Sequence, residues 1–259
     1  MMRWMFRIWE YIVRIKDLFF TGGKPPSPRQ LFGDMFDDVQ CVPVYDDSKT
    51  FVDMIPQYHP NEIMYEYKMN DVSVENTMEE FLQKYFAPPY TVPTRLFGEH
   101  TTVTLGVREY IEGMWDALTR NPDTPNRYSS LLALPHHYVV PGGRFREIYY
   151  WDSYFTMIGL RESGRHGLLE SMVRNFGYLI SRYGHVPNGN RSYYLTRSQP
   201  PMFSLMVSLL GEVRGREAEK EFLPLLIKEY EYWMRGAREL SFLKKQKRTS
   251  EHVVRMPEG

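Results

Sequence analysis

The segment Pro141–Phe155, PGGRFREIYYWDSYF, holds the densest set of chemically capable side chains in this 259-residue sequence. Gly142-Gly143 allows a positive φ or a close backbone approach. Arg144 and Arg146 are rigid five-donor forks suited to paired acceptor oxygens. Trp151 offers a flat apolar face beside Asp152, an acceptor-only carboxylate. Rings that stack on C–H faces, next to charged groups that hold hydroxyls, are the tools of sugar recognition. The plainer alternative is a helix start, with Asp152 at its N-terminal end and Arg–Glu pairs on the surface. For any one residue that alternative is the better account, and the density of the cluster is what favours a ligand.

A second cluster follows in HVPNGNRSYYLTRSQPP, His185 to Pro201. Asn188-Gly189 is a tight-turn signal that structure alone would explain. A pure turn, however, has no need of Asn188, Asn190, Arg191, Arg197, Ser198 and Gln199 around Tyr193 and Tyr194. Two such loops, each ahead of a helix, can meet at one end of a helical barrel. Other candidates fall away. His136 and His137 are adjacent, so their side chains point apart, and no spacing resembles a metal site. There is no phosphate-binding glycine loop and no G-x-S-x-G elbow. Cys41 has no basic neighbour in sequence and reads as buried rather than nucleophilic. The run Lys244-Lys245-Gln246-Lys247-Arg248 reads as a solvated loop.

The elements that must position these clusters are helices. Residues 103–120 place Val107, Ile111, Met114, Trp115 and Leu118 on one stripe, ended by Asn121-Pro122. Asp152 to Glu162 forms the next helix, with Phe155 and Ile158 inward and Gly164 as the stop. Leu168 to Tyr183 carries Leu169, Met172, Val173, Phe176, Leu179 and Ile180 on one face, with Gly184 at the C-cap. Pro200-Pro201 suit the first turn of a helix through Met202, Leu205, Met206 and Leu209. Glu217 to Leu240 reads as a long helix with a break at Pro224. Upstream, residues 29–75 read as loop-rich with short helices, and Thr77 with Glu80 forms a candidate capping box before Phe81 and Leu82. Strand signals are few, so the expected class is all-α, built from antiparallel helix pairs.

At the N-terminus, Arg3, Arg7, Glu10, Arg14 and Asp17 oppose Trp4, Ile8, Tyr11, Ile12, Ile15 and Phe19, the pattern of an amphipathic helix. It lacks the uninterrupted apolar core of a secretory signal or a spanning helix. TGGKPPSP (21–28) reads as a linker. The expected division is therefore an N-terminal helix and linker over 1–26 and a body over 27–259. Lys plus Arg and Asp plus Glu balance at 32 each, so no strong field favours nucleic acid or an anionic membrane. The lone cysteine and the lack of a clean signal point to the cytoplasm, with the periplasm as alternative.

PGGRFREIYYWDSYF resembles the first signature of the trehalases, glycoside hydrolases that split α,α-trehalose into two glucoses. GHVPNGNRSYYLTRSQPP (184–201) is similar to the same family in its next sugar-contacting loop. The likeness runs from SPRQLF through LLALPHHYVVPGG to VVRMPEG. It implies a partial (α/α)₆ barrel with sugar bound at one end. It also implies substrate-binding roles for Arg144, Trp151, Asp152, Asn188, Arg197, Ser198 and Gln199. The family mechanism is inverting: an acid protonates the bridging oxygen while a base activates water on the opposite face, from carboxyls roughly 6.5–9.5 Å apart. No metal or organic cofactor is implied. The expected ligand is trehalose or glucose, without nucleic acid or a membrane span, and a second chain completing the barrel is a further expected partner.

The sequence departs from the family in length. Trehalases are about twice as long, and their general acid, an Asp, and base, a Glu, come from later segments. The second signature, around Gln-Trp-Asp-x-Pro, is absent from these residues, as is a glycine-rich run. The expectation is a chain truncated before the catalytic Asp and Glu and inactive alone, so no catalytic residue is assigned in it. The resemblance casts Glu147 and Asp152 as binding or structural groups. The alternative is a non-catalytic sugar-binding remnant, or a fragment that needs a partner chain.

Overall fold

The computed structural model describes residues 24–42, 44–70, 72, 75–89, 106–237, 240 and 249–254. The amphipathic segment over 1–20 and the basic run at 244–248 lie outside these residues, as does most of the division at residue 26. The described residues are mainly helical, and the expected all-α class holds. They fall into two compact units.

The first unit takes its described residues from Met1–Val92, Thr124–Ala133 and Asn190–Tyr194. Its helices are α1 (Pro28–Cys41), α2 (Lys49–Asp53), α3 (Pro60–Met69) and α4 (Glu75–Tyr85). The stretch expected to be loop-rich with short helices does hold short helices, but more of it is helical than expected. Ser27 and Gln30 form a reciprocal capping box for α1, and Gly33, at φ 45°, kinks it. A pair of two-residue strands, Ile55–Pro56 with Phe86–Ala87, closes the unit. Its core is aromatic: Phe32 meets Phe86 edge-on at 5.2 Å, and Phe51 meets Phe86 at 5.5 Å. Thr77 lies inside α4 rather than at its cap. Cys41, expected to be buried, is exposed at the end of α1.

A buried polar node also sits in this unit. Asp53 is 2% exposed and pairs with Lys49, one helical turn earlier, and with Arg191 Nε at 3.3 Å. Tyr193 donates its hydroxyl hydrogen to the same carboxylate at 3.0 Å, and Arg191 donates to Ser130 Oγ at 3.1 Å.

The second unit takes its described residues from Pro93–Asp123, Leu134–Gly189 and Leu195–Gly259. Its helices are α5 (Val107–Leu118), α6 (Tyr150–Glu162), α7 (His166–Tyr183), α8 (Phe203–Arg214) and α9 (Arg216–Trp233). Strands Thr119–Arg120 and Tyr138–Val139 pair antiparallel, and α6 to α9 pack on one another. In α7 the expected apolar face is buried, and Gly184 takes the left-handed C-cap at φ 86°. Asn175, fully buried on that face, accepts from His136 N at 3.0 Å and donates to His136 O at 3.0 Å. That contact fixes the strand leading into the glycine turn.

Four expectations about this unit are corrected. Helix α6 starts at Tyr150, two residues early, and buries Tyr150, Ser153, Met157 and Leu160. Phe155 lies off that stripe and is 59% exposed instead of inward, and Ile158 is only partly buried. Helix α5, by contrast, forms where its stripe is expected, with none of its residues fully buried and Trp115 donating to Ser163 Oγ at 2.9 Å. Pro200-Pro201 precede the cap of α8 rather than forming its first turn. Pro224 lies within a continuous α9, which absorbs the missing hydrogen bond without ending.

Candidate functional site

All seven sequence-predicted site residues lie in the second unit, at the N-terminal end of α6 or in the two loops beside it. The first loop begins with the glycine turn. Gly142 and Gly143 have φ of 101° and 60°, and Gly142 exchanges backbone hydrogen bonds with Phe145 at 3.3 and 3.1 Å. Arg144 sits exposed at the tip of this turn, with its guanidinium 5.8 Å from the centre of the Phe145 ring. Phe145 is itself half exposed and meets Tyr149 edge-on at 5.6 Å. Glu147 is fully buried and accepts a hydrogen bond from the Tyr149 hydroxyl.

The start of α6 poses a physical problem. Its N-cap is Tyr149, in extended conformation, which supplies no side-chain cap. A helix leaves its first N–H groups without intrahelical partners, so here something else must satisfy them. The second loop does so. Tyr150 N–H donates to the Asn188 carbonyl at 3.1 Å, and Trp151 N–H donates to Gln199 Oε1 at 3.1 Å. Asn188 N–H in turn donates to the Arg197 carbonyl at 3.0 Å, which folds the second loop back on itself. Gly189 lies in an isolated extended bridge to Tyr149, so Asn188-Gly189 forms a pairing segment and not the expected tight turn.

Trp151, Asp152 and Gln199 are thereby brought into direct contact. The Gln199 amide caps Trp151 with its oxygen and donates through Nε2 to Asp152 Oδ2 at 3.4 Å. Asp152 lies in the first turn of α6, where the helix dipole favours a negative charge. Trp151 is 42% exposed. Asn188 and Arg197 join this group through their backbones, and the Ser198 hydroxyl donates to the Gln199 carbonyl at 3.0 Å. Donors, an acceptor carboxylate and an exposed indole thus share one helix end. That arrangement can hold a polyhydroxylated ring by one face and one edge.

A buried pair behind this end escaped sequence reasoning. Tyr150 is fully buried and donates its hydroxyl hydrogen to Glu229 Oε1, while Phe203 N–H donates to the same hydroxyl at 2.9 Å. Glu229 is 5% exposed, and its burial pushes its carboxyl up to about 6, against a smaller lowering by the Tyr150 hydrogen bond. Burial, and then the Glu229 charge, push the Tyr150 phenol well above its ordinary value. A signal was present: Glu229 stands seven residues after Phe222, on the buried face of α9. A carboxylate on such a face needs a partner.

Among the described residues no group of three or more His, Cys, Asp and Glu could hold a metal ion. Among them too, no helix is long and apolar enough to cross a membrane.

Comparison with known proteins gives a consistent result. The family model described as Trehalase matches residues 43–259. A periplasmic trehalase of Escherichia coli O45:K1 is 45% identical over 241 residues, 92% of this chain and 41% of that protein. A periplasmic trehalase of Shigella flexneri serotype 5b is 46% identical over 237 residues, 91% of this chain and 40% of that one. The chain therefore spans about two-fifths of the length of these curated relatives, 41% and 40%. Among solved structures, the neutral trehalase of Saccharomyces cerevisiae matches with 33% identity and a TM-score of 0.35, over 48% of this chain and 25% of that one.

The relatives overturn the cytoplasmic expectation, since both bacterial proteins are named periplasmic. The physical signal behind that expectation was weak: a single thiol has no partner in its own chain in any compartment, so Cys41 carries no redox information. The second-chain expectation gains no support from these comparisons.

Proposed function

This chain belongs to the trehalase family, and from that premise we propose that the protein carrying it hydrolyses α,α-trehalose to two glucoses with inversion, in the periplasm. The cluster at the start of α6 is one wall of a glucose subsite within an (α/α)₆ barrel. Trp151 is the stacking platform, Arg144 and Asp152 clamp hydroxyls, and Asn188, Arg197, Ser198 and Gln199 complete the polar edge. The observation that carries this proposal is the Gln199 amide, which joins Trp151 N–H at 3.1 Å to Asp152 Oδ2 at 3.4 Å and so links both sequence clusters in one group.

In this proposal the carboxylates of the cluster bind and do not cut. Glu147 is fully buried and engaged by Tyr149, and Asp152 is engaged by Gln199. Both are thus already engaged by neighbouring side chains, whereas inversion calls for two opposed carboxyls with room for a water between them. The acid and base belong to other segments of the family's sequence, and the 259-residue chain alone binds trehalose without turning it over. Each positioned acid or base contributes roughly 10²–10⁴-fold to rate, so their absence removes measurable turnover.

Titration calorimetry with trehalose, alongside a glucose-release assay on the same sample, tests this. Binding heat without glucose is expected. No heat from a demonstrably folded sample overturns the subsite, and released glucose overturns the division between binding and catalysis.

A further inference from the structure

The sugar-binding end of α6 rests on a hydrogen-bonded post that the subsite residues do not include. Tyr150 is the first residue of α6 and the immediate neighbour of Trp151. Its backbone N–H is held by Asn188 O at 3.1 Å, so its main chain belongs to the junction of the two loops. Its side chain points the other way, into the helix layer, where the ring stacks on Phe176 at 5.6 Å. There the hydroxyl meets two partners. It donates to Glu229 on α9 and accepts from Phe203 N at 2.9 Å. Phe203 is the first residue of α8 and lies four residues after Gln199. One phenol therefore ties the start of the helix that carries Trp151 and Asp152 to the end of the loop that carries Gln199.

The Phe203 N–H needs that partner. It is the leading donor of α8, whose N-cap Met202 offers no side-chain acceptor. Phe203 is itself fully buried, so water does not replace a lost acceptor there. Removing the hydroxyl would free the start of α8 to shift, and the short segment 200–202 would pass the shift to Gln199.

Resting on the subsite proposed above, we infer that Glu229 and Tyr150 are positioning residues for sugar recognition: Glu229 orients the Tyr150 hydroxyl, which fixes the spacing between Trp151 and Gln199. Neither residue touches the sugar in this account. Glu229 acts as a hydrogen-bond acceptor, so an amide can replace it, whereas an apolar group of similar size cannot.

The test uses the full 259-residue chain and four variants, each measured for trehalose affinity by calorimetry and for thermal stability. Y150F and E229L are expected to weaken trehalose binding roughly five- to tenfold, as loss of one or two hydrogen bonds implies. E229Q is expected to restore affinity to within about twofold of the parent. E229L leaves the buried Tyr150 hydroxyl without its acceptor, so its melting temperature is expected to fall together with its affinity, whereas E229Q keeps both. A purely structural role would lower the stability of Y150F and E229L but leave the affinity of the folded sample, measured well below its melting temperature, equal to that of the parent. Trp151→Ala serves as the control on the subsite itself. If W151A abolishes binding while Y150F and E229L bind as the parent does, the positioning role is overturned and the subsite stands. If the parent chain gives no heat with trehalose, or W151A binds unchanged, the subsite is overturned and the positioning role with it.

Discussion

Replacing Gln199 by Ala removes two contacts of unequal weight. The bond from Trp151 N–H to Oε1 is 3.1 Å and caps the start of α6, whereas the bond from Nε2 to Asp152 Oδ2 is 3.4 Å, at the long limit. Loss of a helix cap costs about 0.5–2 kcal/mol, and here the side chain over the freed N–H is 42% exposed, so water replaces part of the bond. The stability cost is therefore about 1 kcal/mol, or roughly 3 °C in melting temperature for a chain of this size. Affinity should suffer more. Asp152 loses the donor that orients it, and the sugar loses whatever the amide itself offers. Two neutral hydrogen bonds come to about 2 kcal/mol, close to 30-fold in Kd. Gln199→Glu separates the two effects. A carboxylate keeps an acceptor for Trp151 N–H and suits the helix dipole, so the cap survives. It also sets a like charge against Asp152, so affinity should fall at least as far as in the Ala variant. Calorimetry with trehalose and a thermal melt on each variant provide both quantities. If Q199A binds within twofold of the parent, the amide bridge has no part in recognition and the reasoning fails.

Two further perturbations address the buried polar groups. Asp53→Asn leaves the Lys49 and Arg191 cations facing a neutral amide in a 2% exposed position, and denaturant unfolding should show a loss of about 3–5 kcal/mol. The Glu229 carboxyl is pushed up from 4.5 to about 6 in the folded chain, so the fold binds its proton more tightly than the unfolded chain does. The stability it contributes is full below about pH 4.5 and is lost as pH rises through about 6, a change of about 2 kcal/mol. E229Q stays neutral throughout, so its stability relative to the parent should rise by that amount between pH 4.5 and pH 8, and an unchanged difference would contradict the buried charge.

Helix periodicity was legible where one face is buried against neighbours. In α7, Leu169, Met172, Val173, Phe176, Leu179 and Ile180 repeat at helical spacing and are all buried, so pattern and environment agree. In α5 the same kind of pattern also marks a helix, although none of its residues is fully buried and Val107 is 79% exposed. Apolar spacing specifies a face and does not specify what covers it. Residues 29–75 hold the expected short helices but more helix than a local reading shows. Helix α1 is kinked at Gly33 and α2 has only five residues, too short to show a repeat. Their helicity comes from packing in the aromatic core around Phe32, Phe51 and Phe86, which a local window does not register.

The site shows how a local weakness in the sequence signals a long-range contact. Tyr149-Tyr150-Trp151 opens α6 with no Ser, Thr, Asp or Asn at the cap, which is a poor helix start by local rules. Such a start persists only if other chain segments satisfy its first N–H groups. Asn188 O and Gln199 Oε1 do so from 38 and 48 residues away. The missing cap is thus answered by groups of the loop after His185, and in the function proposed above that loop also faces a ligand. The same contact fits the binding part proposed for Asp152. Its Oδ2 lies 3.4 Å from the Gln199 amide nitrogen, and the same amide caps the next residue back. A carboxylate oriented by the group that also caps its helix suits a fixed acceptor. An inverting acid or base must instead exchange a proton with the bond being cut or with the attacking water. In the function proposed above, the two acids of PGGRFREIYYWDSYF are therefore one buried strut, Glu147, and one oriented clamp, Asp152.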